Sequence, residues 1–191
     1  MTAKTNAGLK LFMESAIGAA LTISAITKTA PGVITSTAHG LANGDIVILN
    51  VQGMVELNGS MFKVISSTAN TFSIAGVDGS TGIDTTLFNT FTSGTAQKQT
   101  LGTSIPGVQE FSFAGGDIKT DTTTVSDTQD TQVVVGASAM SADMTMQWNP
   151  ADAAQQAMIA AFKTRANKGF KVLWPDGAYV LFYGTVGYTG A

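Results

Sequence analysis

Apolar and polar residues alternate with a period of two along most of this chain, the pattern of half-buried strands. GLKLFME (8–14) reads as a short strand, SAIGAA as a small-residue connection and LTISAIT as a second strand. Between residues 26 and 98 the runs GVITSTA, DIVILNVQ, MFKVIS and NTFSIAG are four more. AHGLANG, GMVELNG and STAN separate them, each carrying turn formers. Helical periodicity is missing, so this span predicts a small all-β module. The Gly- and Thr-rich stretch 76–94 predicts a long loop that leads into a strand at Ser93–Gln99.

Pro106–Gly107 opens a different region. VQEFSFAGG reads as a strand. DIKTDTTTVSDTQDTQ (117–132) has almost no large apolar group and predicts a long mobile loop. VVVGAS is a short apolar patch, and ADMTMQW alternates again with Met144, Met146 and Trp148 on one face. A helix follows. Asn149 is a good N-cap, Pro150 suits the first helical position, and Asp152 complements the positive helix end. Ala154, Met158, Ala161 and Phe162 form an apolar stripe that should pack on the sheet carrying Trp148 and Trp174. Lys163 and Arg165 suit the last turn, and Asn167–Lys168–Gly169 is the expected stop. FKVLW and AYVLFYGTV then form a hairpin across Pro175–Asp176–Gly177. Asn149, Met158 and Phe162 are the residues expected to cap and pack the helix.

Composition changes the picture in one respect. Hydrophobic residues make up 44% of the 191, enough for a core, but charged residues make up 12%, about half of the roughly 25% usual for soluble proteins. Low charge with abundant Thr, Ser, Gly and Ala suggests that much of the surface faces other subunits. The net charge of -3 and the lack of a Lys/Arg cluster argue against binding nucleic acid by neutralising phosphates. The N-terminal stretch carries a basic residue and an apolar run, as a signal peptide does, but Glu14 interrupts the run. No apolar stretch reaches the ~20 residues needed to span a bilayer.

Catalytic chemistry finds little support. With no cysteine there is no thiolate nucleophile or Cys-ligated metal. His39 is the single histidine; without partners it makes no metal site, and it reads as a turn residue. Gly40, Gly44, Gly53 and Gly59 fit no phosphate-binding spacing and read as turn glycines with positive φ. Asp117, Asp121, Asp127 and Asp130 have the wrong spacing for a calcium loop, and a segment this polar cannot raise a carboxyl pKa by burial. They read either as a solvated loop or as an acidic surface repeated around an oligomer. No catalytic residue, metal site or cofactor is expected.

Two segments resemble known families. Ala38-His39-Gly40-Leu41, Gly44-Asp45, Gly53-Met54, Leu57-Asn58-Gly59, Phe62 and Asn70-Thr71-Phe72 resemble the small β-barrel module of many phage structural proteins. That module is related to the first catalytic-cysteine half-domain of ubiquitin-activating enzymes. From about Gly107 to Tyr188, the strand ending in Trp148, the helix with Gln155-Gln156-Ala157 and the hairpin LWPDGAYVLFYG resemble the lambda-like tail tube subunit of long-tailed bacteriophages. The resemblance implies a mainly β fold: two packed antiparallel sheets flanked by one α-helix, formed by residues 1–25 and 99–191. A small all-β barrel is inserted at 26–98 and would lie outside the tube. Relatives add a strand beyond Gly187–Gly190, so the last edge is expected either to be trimmed here or to be completed by a neighbour.

The implied function is structural. Hexameric rings stack into a tail tube, in the virion tail after assembly in the host cytoplasm. The tube conducts the tape-measure protein and then DNA, without specific DNA binding or membrane insertion. The implied partners are the chain itself, the tape-measure protein, and the tail terminator and baseplate proteins. Asp117, Asp121, Asp127 and Asp130 become candidates for lumen or inter-ring contacts, in a loop that orders between rings. The rival reading is a baseplate or adhesin-type module that contacts host surface glycans.

Overall fold

The computed structural model describes residues 8–76, 81–114, 118–123, 131–137 and 141–187, with side chains undescribed between 115 and 140. Strands β1 (Lys10–Met13), β2 (Ala16–Ile23), β3 (Ala25–Ile26), β4 (Val33–Thr35) and β5 (Ile46–Gln52) come first. A 3-10 turn at Val55–Leu57 leads into β6 (Met61–Ile65), β7 (Thr71–Ala75), β8 (Ser93–Thr100) and β9 (Thr103–Ile105). Then follow β10 (Val108–Ala114), β11 (Ile118–Thr123), β12 (Thr131–Ala137), β13 (Ser141–Met146), helix α1 (Ala153–Thr164), β14 (Asn167–Leu173) and β15 (Tyr179–Thr185). The fold is therefore mainly β with one helix among the described residues, and every pairing is antiparallel.

The chain divides into two compact units, one comprising Met1–Pro106 and Trp148–Ala191, the other Gly107–Gln147. The first unit holds two sheets. A four-stranded sheet runs β15-β14-β1-β9, and a seven-stranded sheet runs β2-β8-β5-β6-β7-β4-β3. β1 and β9 are neighbours, with Leu11 opposite Ile105, so the whole seven-stranded sheet is built from chain lying between two paired strands. Ser15 N–H donates to Thr100 O at 2.8 Å and closes the base of that excursion.

The seven-stranded sheet spans 16–100, wider than the 26–98 read from the sequence. SAIGAA, expected as a connection, supplies most of β2. The sheet ends, β2 and β3, are separated in the chain by Ser24 alone, so the sheet curls until its two ends meet there. No pairing joins β2 to β3 among the described residues, so the expected closed barrel is an open, curled sheet. Its concave side holds the larger core, including Ile34, Leu49, Met54, Leu57, Val64, Phe72 and Ile74. Burial of each such side chain stabilises by roughly 1.5–3 kcal/mol. Its other face meets the four-stranded sheet, where Ile48 and Met61 pack with Leu181, and Tyr179 and Tyr183 lie alongside. A side chain at Gly169 would strike Met61 Sδ, at 2.9 Å from the Cβ position, so glycine makes room for that contact.

The opposite face of the four-stranded sheet carries Leu11, Met13, Ile105, Phe170 and Val172, all buried. Helix α1 lies against β9 on this side and buries Ala154, Met158 and Ala161. The helix is therefore not held by a sheet bearing Trp148, which follows β13 and is 48% exposed. Phe162 is 39% exposed, so the centre of the stripe is buried and its last member lies at the rim. The N-cap is Asp152, whose carboxylate accepts from Gln155 N–H at 2.9 Å. Asn149 closes the preceding turn instead, its Oδ1 accepting from Ala151 N–H. The helix ends at Arg165, in the left-handed region at φ 51°, and Asn167 already belongs to β14.

In the second unit β10 pairs with β13 and β11 with β12. Where it is described, the segment expected as a loop is strand: it holds β11 and the start of β12, which pair with Ile118 opposite Ala137 and Thr123 opposite Thr131, and residues 124–130 lie outside the described residues.

Candidate functional site

Among the described residues, the histidine, the turn glycines and the carboxylates Asp45 and Asp84 serve the local structure. His39 is buried; its Nδ1 accepts from Leu41 N–H at 3.0 Å and its Nε2 lies 3.3 Å from Thr71 O. Its ring meets Phe72 edge-on at 5.1 Å. It pins the turn after β4 rather than offering a ligand. Gly40, Gly44, Gly53 and Gly59 all have positive φ, as the turn reading requires. Asp45 accepts from Ala42 N–H and pairs with Lys98 Nζ at 2.8 Å. Burial works to raise the Asp45 carboxyl, but these two donors outweigh it and hold it below its usual value. Asp84 is held low by the Thr86 hydroxyl and N–H. No group of three or more His, Cys, Asp or Glu could hold a metal among the described residues.

What remains is surface for association. The four-stranded sheet ends in β15 on one side and β9 on the other. β15 is a seven-residue run, YVLFYGT, without a charge, in unbroken register with β14 from Tyr179–Leu173 to Thr185–Asn167. A long uncharged edge is a template for pairing with another chain. Beside β9 lies an open cleft of about 410 Å³ lined by Met13, Glu14, Thr103, Ala157, Ala160 and Lys168, among others. Its floor holds an ion pair: Lys168 Nζ is 2.8 Å from Glu14 Oε1, and the Glu14 side chain is 1% exposed. Gly169 N–H also donates to Glu14 Oε2. The helix wall of the cleft is anchored by Gln155, 1% exposed, whose Nε2 donates to Pro106 O while its Oε1 accepts from Asn149 N–H.

Of the acidic candidates, Asp121 lies in β11 opposite Val133; Asp117, Asp127 and Asp130 lie outside the described residues. Of the helix residues, Met158 is buried, Phe162 is at the rim and Asn149 is exposed. Sequence reasoning passed over the Glu14–Lys168 pair, whose members are far apart in the chain. The available signal is an acidic residue directly after an apolar strand, as Glu14 is after β1.

A chain without a metal cluster among its described residues, rich in uncharged strand edges, matches one described family. The model of the family "Phage tail tube protein, TTP" covers residues 52–190. The chain belongs to the phage tail tube protein family. It is therefore a structural protein of the virion tail that assembles with copies of itself into a tube, and not an enzyme. The match begins at the end of β5 and takes in the second half of the curled sheet, the hairpin unit, α1 and β15. No curated protein matches the chain. No helix among the described residues is long and apolar enough to cross a membrane.

Proposed function

We propose that this tail tube protein forms hexameric rings that stack into the tube through which the tape-measure protein and then DNA pass. The observation that carries the reading is the four-stranded sheet with an uncharged edge strand at β15 and a second edge at β9. A sheet with two different edges associates head to tail, and such association closes into a ring when the rotation allows. Closure removes the exposed edges. A net charge of -3 per subunit keeps phosphates from adhering to the lumen wall within the ~8 Å Debye length at physiological salt. Tail terminator and baseplate proteins cap the two ends.

We further propose that the curled sheet, residues 16–100, is an insertion that stands outside the tube. The adjacency of β1 and β9 supports this, since the module is entered and left between two paired strands. We assign the acidic segment 117–132, with Asp117, Asp121, Asp127 and Asp130, to contacts between stacked rings. Native mass spectrometry of the purified chain tests the ring: the expected species is a six-fold multiple of the chain mass. A monomer at every concentration would overturn the reading.

A further inference from the structure

The curled sheet and the four-stranded sheet meet across a narrow joint. Its buried members are Ile48 and Met61 from one sheet and Leu181 from the other, with Ile46, Leu101 and the two tyrosines packed around them. The main core of the curled sheet lies on its concave side, separate from this contact. One residue of the joint is out of place. Gln99 of β8 is 3% exposed, and neither its Oε1 nor its Nε2 has a hydrogen-bond partner among the described residues. Registers put Gln99 opposite Ile46 and Gln97 opposite Ile48, so Gln99 shares the face that carries Ile48 and Met61. Across the joint its Oε1 comes within 3.5 Å of where a side chain at Gly169 would begin. A buried amide without partners opposes burial, whereas an apolar group of the same shape does not. Gln99 therefore penalises the docked arrangement and is relieved once water reaches it.

We propose that the curled sheet is a hinged module, which undocks from the four-stranded sheet while both sheets stay folded. The chain passes between the sheets at two places, from β1 to β2 and from β8 to β9. The two crossings lie side by side. Ser15 N–H and the Ser15 hydroxyl both donate to Thr100 O, at 2.8 and 3.1 Å, and a side chain at Gly102 would meet Ser15 Oγ. Glu14 is fixed to the four-stranded sheet, its N–H donating to Gly169 O and its Oε2 accepting from Gly169 N–H. The pivot is thus Ser15 and Gly102, element-terminal positions of the kind that absorb a hinge rotation. Opening breaks no strand ladder, because none joins the two sheets among the described residues. It uncovers Ile48, Met61 and Leu181 and hydrates Gln99. A small apolar contact favours docking and a stranded amide opposes it, so the two states lie close in free energy. The inference concerns the single chain and does not depend on the ring.

Thiol labelling tests the hinge, helped by a chain with no cysteine of its own. Ile48→Cys and Leu181→Cys each place a thiol on one side of the joint. Ala96→Cys places one in the concave core. In native buffer with a disulfide-exchange reagent, the joint thiols should react about tenfold or more faster than the core thiol, since a local opening needs less free energy than unfolding the module. Adding Gln99→Leu should slow the joint thiols about tenfold and leave the Ala96→Cys rate unchanged. Adding Gln99→Glu should speed the joint thiols, because a buried charge opposes docking more than an amide does. Circular dichroism checks that each variant is folded, and either joint probe serves if the other is not. Joint thiols that react no faster than the core thiol overturn the hinge. So does a Gln99→Leu change that slows joint and core thiols alike, or neither.

Discussion

Replacing Lys168 should harm the fold more than replacing Glu14, although the two residues form one ion pair. The Glu14 side chain is 1% exposed and that of Lys168 is 29% exposed. Lys168→Met strands a buried carboxylate that keeps one donor, Gly169 N–H; losing one partner of a buried pair costs about 3–5 kcal/mol. Glu14→Gln strands an ammonium that reaches water, and the new amide still accepts from Gly169, so the cost falls to about 1–2 kcal/mol. The double variant holds no orphan charge and should be more stable than Lys168→Met alone, a coupling that a double-mutant cycle reads directly. In urea, with a slope of about 2–3 kcal/mol/M for a chain this long, Lys168→Met should lower the midpoint by about 1–2 M. Equal midpoints for the two single variants, or additive losses in the double, would refute the reasoning.

Met158→Ala should cost about 2–4 kcal/mol in the same titration, and Phe162→Ala clearly less, because Met158 is buried and Phe162 is 39% exposed. Asp152→Ala should cost about 1 kcal/mol through the lost cap and Asn149→Ala less; the reverse order would contradict the observed helix start. The Asp45–Lys98 pair should make a small contribution that is present above the unfolded carboxyl value of 3.8. Because the folded value is lower still, that contribution should be lost as pH falls below 3.8, and Asp45→Asn should remove it, as urea midpoints across acid pH will show. Replacing residues 16–100 with a Gly/Ser linker should leave tubes visible by microscopy but uncover Leu181, Tyr179 and Tyr183, so Leu181→Thr should improve the solubility of the shortened chain.

The strands with clean alternation or bounding turns were legible: β4 to β8 and β15 follow their sequence runs closely, as does the Pro175–Asp176–Gly177 turn, while β14 starts three residues before its run, at the Asn167–Lys168–Gly169 expected as the helix stop. β2 was hidden because Ala16–Ala20 is small except for Ile17 and exposed throughout, so no contrast between faces marks it. β11 is hidden because threonine reads as polar, although its branched Cβ favours strands. Phe162 was misjudged because a stripe read at helical spacing does not reveal where the underlying sheet ends. The Asn149 cap failed locally, since Asp152 offers the same chemistry three residues later and its carboxylate takes the Gln155 N–H. The cleft between α1 and β9 depends on strand order, which no local pattern carries.

Electron microscopy of the purified, concentrated chain addresses the central claim most directly. The account predicts hollow tubes built of stacked rings with six-fold end views and a projecting module on the outside of each subunit. A field of single subunits at high concentration, with neither rings nor tubes, would contradict it.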